Sequence, residues 1–234
     1  LHRVDRRQRQ MCIRDSILGE TALKERTFLH AHGTSTPKNR TTESHVFDEI
    51  ARANGIKQWP VVAIKAFIGH SQGSAAGDQL ASALGSFAHG LLPGIPTLDA
   101  VADDVYAERL RFFTTPQAFT ADAAFINAKG FGGNNATGVV LSPEVTERLL
   151  TKRHGSAAIE AWKGRREAVR ANAAAYLAEA DRGRYAPRYQ FGEAVLEGPE
   201  LEIHADRIHI PGYDHAVSLV ADNPFGSLDE GTPS

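Results

Sequence analysis

The pattern of hydrophobic and polar positions begins with a strand, followed by a polar loop and an amphipathic helix. Thr27–Ala31 favours a short buried strand, and the segment HGTSTPKN contains Gly33 and Pro37, which interrupt regular structure. Over Thr41–Asn54 apolar residues recur at helical spacing, and Gly55 then supplies a stop signal. The predicted inner face of this helix contains Val46, Phe47, Ile50 and Ala51. This part of the chain therefore predicts a strand–loop–helix unit.

The same arrangement follows a second time. Val61–Phe67 is an apolar run that predicts a strand, GHSQG supplies a loop, and Ser74–His89 is predicted to be a helix that ends before Gly90. The expected inner face of this helix contains Leu80, Leu84 and Phe87. Because consecutive strand–loop–helix units favour parallel strands, we predict an α/β fold with a mixed, mostly parallel sheet covered by helices.

The rest of the chain predicts a hairpin and then an extension. Ala123–Asn127 and Ala136–Leu141 are short strands bridged by the glycine-rich segment AKGFGGNN, and the compact unit is expected to end near Pro143. Beyond it we predict a long amphipathic helix and two short strands around Asp206. The apolar residues of that helix are Ile159, Trp162, Val169, Tyr176 and Leu177. The predicted segments are therefore 1–16, 17–143 and an α+β extension over 144–234.

The first segment, Leu1–Ser16, does not fit the pattern. It is basic, it has no helix or strand periodicity, and it runs abruptly into ordinary sequence. We interpret it as a translated sequencing adapter and leave it out of the fold prediction; a disordered basic arm is the alternative. In either case Cys12 is a poor candidate nucleophile. The native protein is then expected to begin upstream, and the chain to be a fragment.

Composition and charge mainly exclude certain classes of partner and of site. The 234 residues are 42% hydrophobic, which is enough for a substantial core. The sequence contains neither a run of ~18 to 20 apolar residues nor a secretion signal, so we expect a cytoplasmic protein without a membrane partner. With 26 basic and 28 acidic side chains, a nucleic-acid partner is not expected. A single cysteine excludes a disulfide framework and a cysteine-based zinc site within one chain.

Candidate chemistry lies in three loops at the C-terminal ends of predicted strands, the edge at which open α/β sheets bind ligands. They are HGTSTP from His32, KAFIGH from Lys65 to His70, and GFGGNN from Gly130. A single loop histidine is most often a hydrogen-bonded structural residue. In this order and spacing, however, the three loops together resemble the β-ketoacyl synthases, which are condensing enzymes of the thiolase superfamily. The resemblance covers Thr27–Pro143.

The resemblance implies the C-terminal half of a thiolase-like fold and a set of site residues. In that family the histidines of the HGTxTP and GHxxG motifs face one active-site cysteine; here they are His32 and His70. The family's lysine, five residues before the second histidine, corresponds to Lys65, and the acidic residue that pairs with it to Glu43. The family's GFGG loop, which lines the site, corresponds to Gly130, Phe131, Gly132 and Gly133.

These residue types suit decarboxylative condensation. After an acyl group has moved to the cysteine, malonyl thioester must lose CO₂ and become a carbanion equivalent, whose enolate needs neutral hydrogen-bond donors. His32 and His70 would supply these donors, and to reach one oxygen their rings should lie within roughly 4 to 7 Å of each other. Lys65, held by Glu43, would organise the loop rather than act as a base. The glycines would let the Phe131 N–H approach an acyl oxyanion while its ring gates the pocket.

The resemblance also implies partners. They are acyl carrier protein loaded with a malonyl group, acetyl-CoA, and a second copy of the full-length protein in a homodimer. No cofactor and no metal are implied. The extension after Pro143 is reminiscent of a longer subfamily that starts chains from acetyl-CoA and malonyl carrier protein. Its basic run Lys163–Glu167 is predicted to be a solvated helix face, with contact to an acidic carrier protein as the alternative.

The sequence departs from the family pattern in three places. Arg40 stands where the family has an acidic residue, which leaves the start of the following helix open. GHSQGSAAG has one residue more than the usual GHxxGAAG, so that packing after His70 is expected to differ. The cysteine segment and the first central strand are absent, and the chain should therefore not catalyse condensation alone.

Other readings of these motifs stay open. GHSQG also fits the G-x-S-x-G turn of α/β-hydrolases, with Ser71 as nucleophile and Asp99 and His209 as partners, but this leaves the other two loops unexplained. A non-catalytic partner resembling the chain-length factors of polyketide systems is also compatible, because no nucleophile is visible. His30 and His32 are placed to share a metal, but no clustered carboxylates accompany them.

Overall fold

The computed structural model describes residues 17–130, 133–184, 192, 196 and 198–220. The chain divides into two compact units between Ala168 and Val169. The domain boundary predicted at Pro143 stays a prediction, because a division into compact units does not identify where a domain ends. The predicted isolation of Leu1–Ser16 lies outside the described residues, as do the positions of Phe131 and Gly132.

The first unit contains the predicted strands and helices, together with short elements and a helix from Pro143 that were not predicted. Its first part contains α1 Glu20–Glu25, β1 Thr27–His30, α2 Pro37–Asn54, β2 Trp59–Val62, α3 Lys65–Ile68 and α4 Ala75–His89. It continues with β3 Leu91–Leu92, β4 Leu110–Arg111, β5 Gln117–Ala118, β6 Ala123–Lys129, β7 Asn135–Leu141 and α5 Pro143–His154. A last helix, α6 Ser156–Asp181, runs across the division between the two units.

The main sheet has five strands in the order β4-β2-β1-β6-β7. β1 pairs in parallel with both β2 and β6, β2 pairs in parallel with β4, and β6 and β7 form an antiparallel hairpin. A helical crossover lies between β1 and β2, as parallel neighbours require, whereas a short glycine-rich connection allows the hairpin. The predicted mixed, mostly parallel α/β sheet is confirmed.

Side chains of β1 alternate between the two faces of this sheet. Leu29 packs with Phe47 and Ala51 of α2, while Phe28 packs on the opposite face with Ala83 of α4. Trp59 and Phe125 stack edge to face in the first of these clusters, with ring centroids 5.4 Å apart. Helices therefore cover both faces, and the carboxyl ends of β1, β2 and β6 are brought to one edge.

Helix α2 begins at Pro37 rather than at the predicted Thr41, because proline is tolerated in the first turn, where its missing N–H has no helical partner to lose. Thr36, in an extended conformation, precedes it. The predicted stop at Gly55 is confirmed, since this residue adopts the left-handed conformation with φ 67°. Phe47 and Ala51 are buried, as the apolar spacing predicted.

Two details of the second strand–loop–helix unit were predicted wrongly. β2 ends at Val62 instead of Phe67, and the short helix α3 follows, so that Phe67 is exposed. In α4, the predicted inward residues Leu80 and Leu84 are exposed. The buried positions of α4 are Ala75, Gln79, Ala83 and Ser86. These side chains are mostly small, which lets the helix backbone lie close to the sheet.

The second unit contains the end of α6 and a small antiparallel sheet. Its strands are β8 Glu202–Ile203, β9 Arg207–His209 and β10 Val217–Ser218, in the order β10-β9-β8. The two strands predicted around Asp206 are confirmed, whereas β10 and, in the first unit, α5 were not predicted. None of the helices in the described ranges combines the length and apolar composition needed to span a bilayer.

Candidate active site

His32 lies just beyond the end of β1 and is buried. Its ring Nδ1 accepts a hydrogen bond from the backbone N–H of Lys129, at 3.3 Å. Gly33, the next residue, has φ 63°, and a Cβ added there would lie 2.9 Å from the Cβ of Ala63. Only glycine combines this conformation with so close an approach, so the turn after β1 fixes the direction in which His32 leaves the strand.

Glu43 of α2 holds the same turn from the other side. Its buried carboxylate accepts hydrogen bonds from the backbone N–H groups of His32, at 2.8 Å, and Gly33, at 3.1 Å. The side-chain amides of Asn39 and Asn127 donate to it as well. Four donors therefore compensate this buried negative charge, and two of them belong to the His32 loop.

His70 is reached by a different route. It follows α3 and Gly69, which has φ 73°, and its side chain is exposed. Its Nδ1 accepts a hydrogen bond from the backbone N–H of Gln72, at 3.0 Å. The backbone of the same loop thus orients the His70 ring. Among the described residues, no buried carboxylate binds the His70 backbone as Glu43 binds that of His32.

The two imidazoles meet although they come from different strands. Their ring centroids are 5.2 Å apart and the rings are nearly perpendicular, at 81°. This separation falls within the predicted 4 to 7 Å. Because Nδ1 of each neutral ring accepts a backbone N–H, the proton is assigned to Nε2 in both. Burial, and to a smaller degree the charge of Lys65, lowers the pKa of His32, which favours its neutral form.

Lys65 differs from the expectation in both position and partner. It begins α3 instead of lying on the preceding strand. Its Nζ is buried without a hydrogen-bond partner among the described residues, so the expected direct pair with Glu43 is not formed there. The reason is that four N–H donors already occupy the Glu43 carboxylate. Burial lowers the pKa of Lys65, and the charges of Glu43 and Asp78 oppose that shift at longer range.

The third predicted loop is described only at its ends. The N–H of Gly130 donates to the backbone oxygen of Asn134, at 2.9 Å, and Gly133 has φ 85°. Gly130 itself does not adopt positive φ. The roles predicted for Phe131 and Gly132 concern residues outside the described ranges and stay predictions.

A cavity of about 650 Å³ opens beside this constellation. Gly33, Glu43, Lys65 and His70 line it, together with apolar residues of the connection between β3 and β4. Arg40, the departure from the family pattern, forms a two-point ion pair with Asp104 of that connection, at 2.7 and 3.1 Å. The start of α2 is therefore tied to the wall of the cavity by the residue that differs from the family.

The hydrolase reading finds little support in the geometry. A nucleophile elbow holds its serine in strained backbone, whereas Ser71 has an unstrained φ of −78° and donates its hydroxyl to Asp78. Asp99 is exposed, and His209 belongs to the second unit. In the described part of the chain, no three His, Cys, Asp or Glu side chains are grouped as metal ligands.

Three buried polar residues near the site were not given a role by the sequence analysis. Gln79 donates its amide to the backbone oxygens of Ala31 and Asn127, and Asn127 donates to Glu43. Both ring nitrogens of His30 lack a partner among the described residues, and burial lowers the pKa of this histidine to about 3. In the sequence, Gln79 lies at helical spacing from the small residues Ala75, Ala83 and Ser86. This pattern could have identified the buried face of α4, but the leucines of the same helix suggested a different face.

Comparison with known proteins agrees with the motifs. Residues 3–99 match the family described as beta-ketoacyl synthase, C-terminal domain. The match includes most of residues 1–16, whose non-native origin stays a prediction. The chain is 45% identical over 214 residues to the beta-ketoacyl-[acyl-carrier-protein] synthase FabY of Pseudomonas aeruginosa, covering 91% of this chain and 34% of that protein.

Further relatives and a solved structure extend the likeness. The 3-oxoacyl-[acyl-carrier-protein] synthase 1 of Escherichia coli K12 is 32% identical over 110 residues, which is 47% of this chain and 26% of that protein. The crystal structure of the ketosynthase FabY from P. aeruginosa has a TM-score of 0.81 at 44% identity, over 92% of this chain and 34% of that one. The chain thus spans only about a third of the length of FabY. By sequence and by its α/β fold, the chain resembles the β-ketoacyl synthases, and residues 3–99 match their C-terminal domain.

Proposed function

We propose that this chain is the C-terminal part of a β-ketoacyl-acyl-carrier-protein synthase, which condenses an acyl thioester with malonyl-acyl carrier protein in fatty-acid biosynthesis. The observation that carries the proposal is the pair His32 and His70, with ring centroids 5.2 Å apart and both Nδ1 atoms occupied by backbone N–H groups. Two Nε2–H donors of neutral rings are then available to a single substrate oxygen.

The chemistry proceeds in two transfers. A cysteine thiolate attacks the acyl thioester, and the carrier thiol leaves. Malonyl thioester then loses CO₂, and the electron pair of the broken C–C bond becomes an enolate whose oxygen accepts hydrogen bonds from His32 and His70. The enolate carbon attacks the acyl-enzyme carbonyl, the cysteine thiolate departs, and a β-ketoacyl thioester results.

The supporting roles follow from contacts and charge. Glu43 fixes the His32 loop through two backbone N–H groups. Burial, and after it the positive charge of Lys65, lowers the pKa of His32, and both favour its neutral donor form. Cys12 is the chain's only cysteine and lies in the segment predicted to be non-native or disordered, so the nucleophile would come from a segment outside this chain. The isolated chain would accordingly not catalyse condensation.

The partners remain those implied by the family. The names of FabY and of the E. coli relative specify acyl carrier protein, which supports malonyl-acyl carrier protein as a substrate here. Acetyl-CoA as the primer, the homodimer and the cytoplasmic location stay predictions. The basic run at Lys163 gives little further support for carrier docking, because Lys163 itself pairs with Glu147 and Glu160, at 2.7 and 3.1 Å.

The test uses the full-length protein that includes the upstream segment. His70→Ala should lower the rate of malonyl-thioester decarboxylation at least ~10²-fold, the scale of one removed oxyanion donor, measured as CO₂ release. Ser71→Ala is the matched control on the neighbouring residue and should retain the activity. Ester hydrolysis that depends on Ser71 would instead favour the hydrolase. A cysteine in a D-T-A-C-type context upstream would support the enzyme, and glutamine there the chain-length-factor-like partner.

A further inference from the structure

Gln79 lies in α4 and is completely buried. Its side-chain nitrogen donates two hydrogen bonds, to the backbone oxygen of Ala31 at 2.7 Å and to that of Asn127 at 3.0 Å. These acceptors belong to two different segments, since Ala31 follows β1 directly and Asn127 lies within β6. A single NH₂ group therefore joins the helix to the carboxyl ends of two neighbouring strands.

The three segments joined in this way carry the three motif loops. α4 starts shortly after His70, Ala31 directly precedes His32, and β6 leads into Gly130. Asn127 extends the connection, because its own amide donates to Glu43, which binds the backbone N–H of His32. This buried hydrogen-bond network reaches the His32 backbone directly, and His70 is connected to it through the short chain segment that leads into α4.

The side-chain oxygen of Gln79 is buried without a hydrogen-bond partner among the described residues. A buried, unsatisfied amide oxygen costs free energy, and an apolar side chain at this position would avoid that cost. The other buried positions of α4 are Ala75, Ala83 and Ser86, which have small side chains. Simple packing of the helix on the sheet thus gives no reason for an amide at position 79.

We propose that Gln79 is a positioning residue that sets the separation and angle of His32 and His70. Its two donated bonds hold α4, and with it the end of the His70 loop, at a fixed distance from the end of β1 that carries His32. The proposal rests on the proposed function, because the fixed geometry matters only if both rings must reach one substrate oxygen. A displacement of about 1 Å at such a site is enough to lower the rate roughly 10²-fold.

The experiment compares two half-reactions in the full-length protein, with malonyl-CoA as the probe of decarboxylation and acetyl-CoA as the probe of cysteine acylation. Gln79→Met keeps the length of the side chain and removes both donors. It should lower kcat for decarboxylation ~10- to 100-fold while KM and the rate of cysteine acylation stay within ~2-fold, because acylation does not use the two-histidine oxygen site. Ser86→Ala is the matched control, since it removes from the same helix a buried hydroxyl that has no hydrogen-bond partner in the described part of the chain.

Gln79→Glu supplies a second, pH-dependent readout. The protonated acid can donate one of the two bonds, whereas the carboxylate donates none and repels both backbone oxygens. Relative to the Ser86→Ala profile, decarboxylation by Gln79→Glu should therefore recover as the pH falls. This variant decides the question alone if Gln79→Met does not fold, and the absence of any such recovery would then overturn the proposal.

The outcomes separate the two inferences. An unmodified full-length protein that forms no acyl-enzyme and releases no CO₂ contradicts the proposed function. If the unmodified protein is active, a Gln79→Met variant whose decarboxylation kcat stays within ~2-fold overturns the positioning role. The proposal is also overturned if the rates of decarboxylation and of cysteine acylation fall equally and the melting temperature falls with them. Such a result indicates that the variant has lost structure, rather than the alignment of His32 and His70.

Discussion

The loops that carry His32 and His70 reach the same site with very different support. In the His32 loop, His32 is buried, Gly33 lies close to Ala63 just beyond β2, and the N–H groups of both residues bind the Glu43 carboxylate. The His70 loop is exposed and is held by short-range hydrogen bonds: the backbone N–H of Gln72 donates to the His70 ring, and the Ser71 hydroxyl donates to Asp78 of α4.

The difference shows that similar chemistry does not require similar preorganisation within one chain. His32 is fixed by long-range contacts to α2 and β6, so its position should be sensitive to single substitutions in distant elements. His70 depends on short-range contacts and on the placement of α4 behind it. Substitutions at equivalent points of the two loops should therefore have unequal effects on stability.

The largest effect is expected at the acidic residues of the helices that bind the two loops. Glu43→Ala should lower the free energy of unfolding by about 4 kcal/mol, because it leaves two backbone N–H groups and two amides buried without their acceptor. Asp78→Ala, its counterpart, removes an exposed contact with Ser71 and should change stability by less than ~1 kcal/mol. Urea unfolding measures both, and equal losses would remove the proposed difference between the loops.

A smaller effect is expected at the glycines. Gly33→Ala should destabilise by about 3 kcal/mol, since alanine would have to adopt φ 63° with its Cβ 2.9 Å from that of Ala63. Gly73→Ala in the His70 loop should be within ~0.5 kcal/mol of neutral, because Gly73 lacks positive φ and an added Cβ meets no atom within 4 Å. Thermal unfolding of the pair provides the comparison. A tolerated Gly33→Ala would contradict the close contact with β2.

The smallest effect concerns pH and the residue two positions before His32. Burial lowers the pKa of His30 from 6.5 to about 3, so below pH 6.5 the unfolded chain binds a proton that the folded chain does not. Stability from this residue is complete above pH 6.5 and is lost as the pH falls toward 3. Between pH 6.5 and 5 the unmodified protein should lose about 2 kcal/mol more than His30→Gln, measured by urea unfolding. If the stability of the two proteins depends on pH in the same way, His30 is charged or solvated in the folded protein and the prediction is wrong.

Much of this organisation could be predicted from local sequence. The end of α2 at Gly55 and the β6–β7 hairpin depend on backbone preferences and short connections, which neighbouring residues determine. The motif spacing also brought His32 and His70 to one edge of the sheet, at a separation within the expected range. Such features depend on chain direction and strand order, which a strand–loop–helix repeat already specifies.

The errors came from packing between elements. Periodicity placed Leu80 and Leu84 of α4 toward the core, but the helix presents Gln79, Ala83 and Ser86 to the sheet. An apolar stripe identifies a helix, yet the rotation of that helix about its axis depends on which side chains fit the opposing surface. The direct pair of Lys65 with Glu43 was expected from the resemblance alone, which does not show the four N–H donors that occupy this carboxylate.

By itself, the sequence determined the α/β class, the parallel pairing of β1 with β2, and the three loops that hold the candidate chemistry, because each depends on residues close together in the chain. Only the tertiary structure decided which donors occupy Glu43, that the Nζ of Lys65 has no direct partner among the described residues, and that Gln79 joins the ends of two strands. The physical reason is that buried hydrogen bonds depend on distance and direction to a few tenths of an ångström, and residues as far apart as Ala31 and Gln79 acquire that geometry only when the sheet and its helices pack.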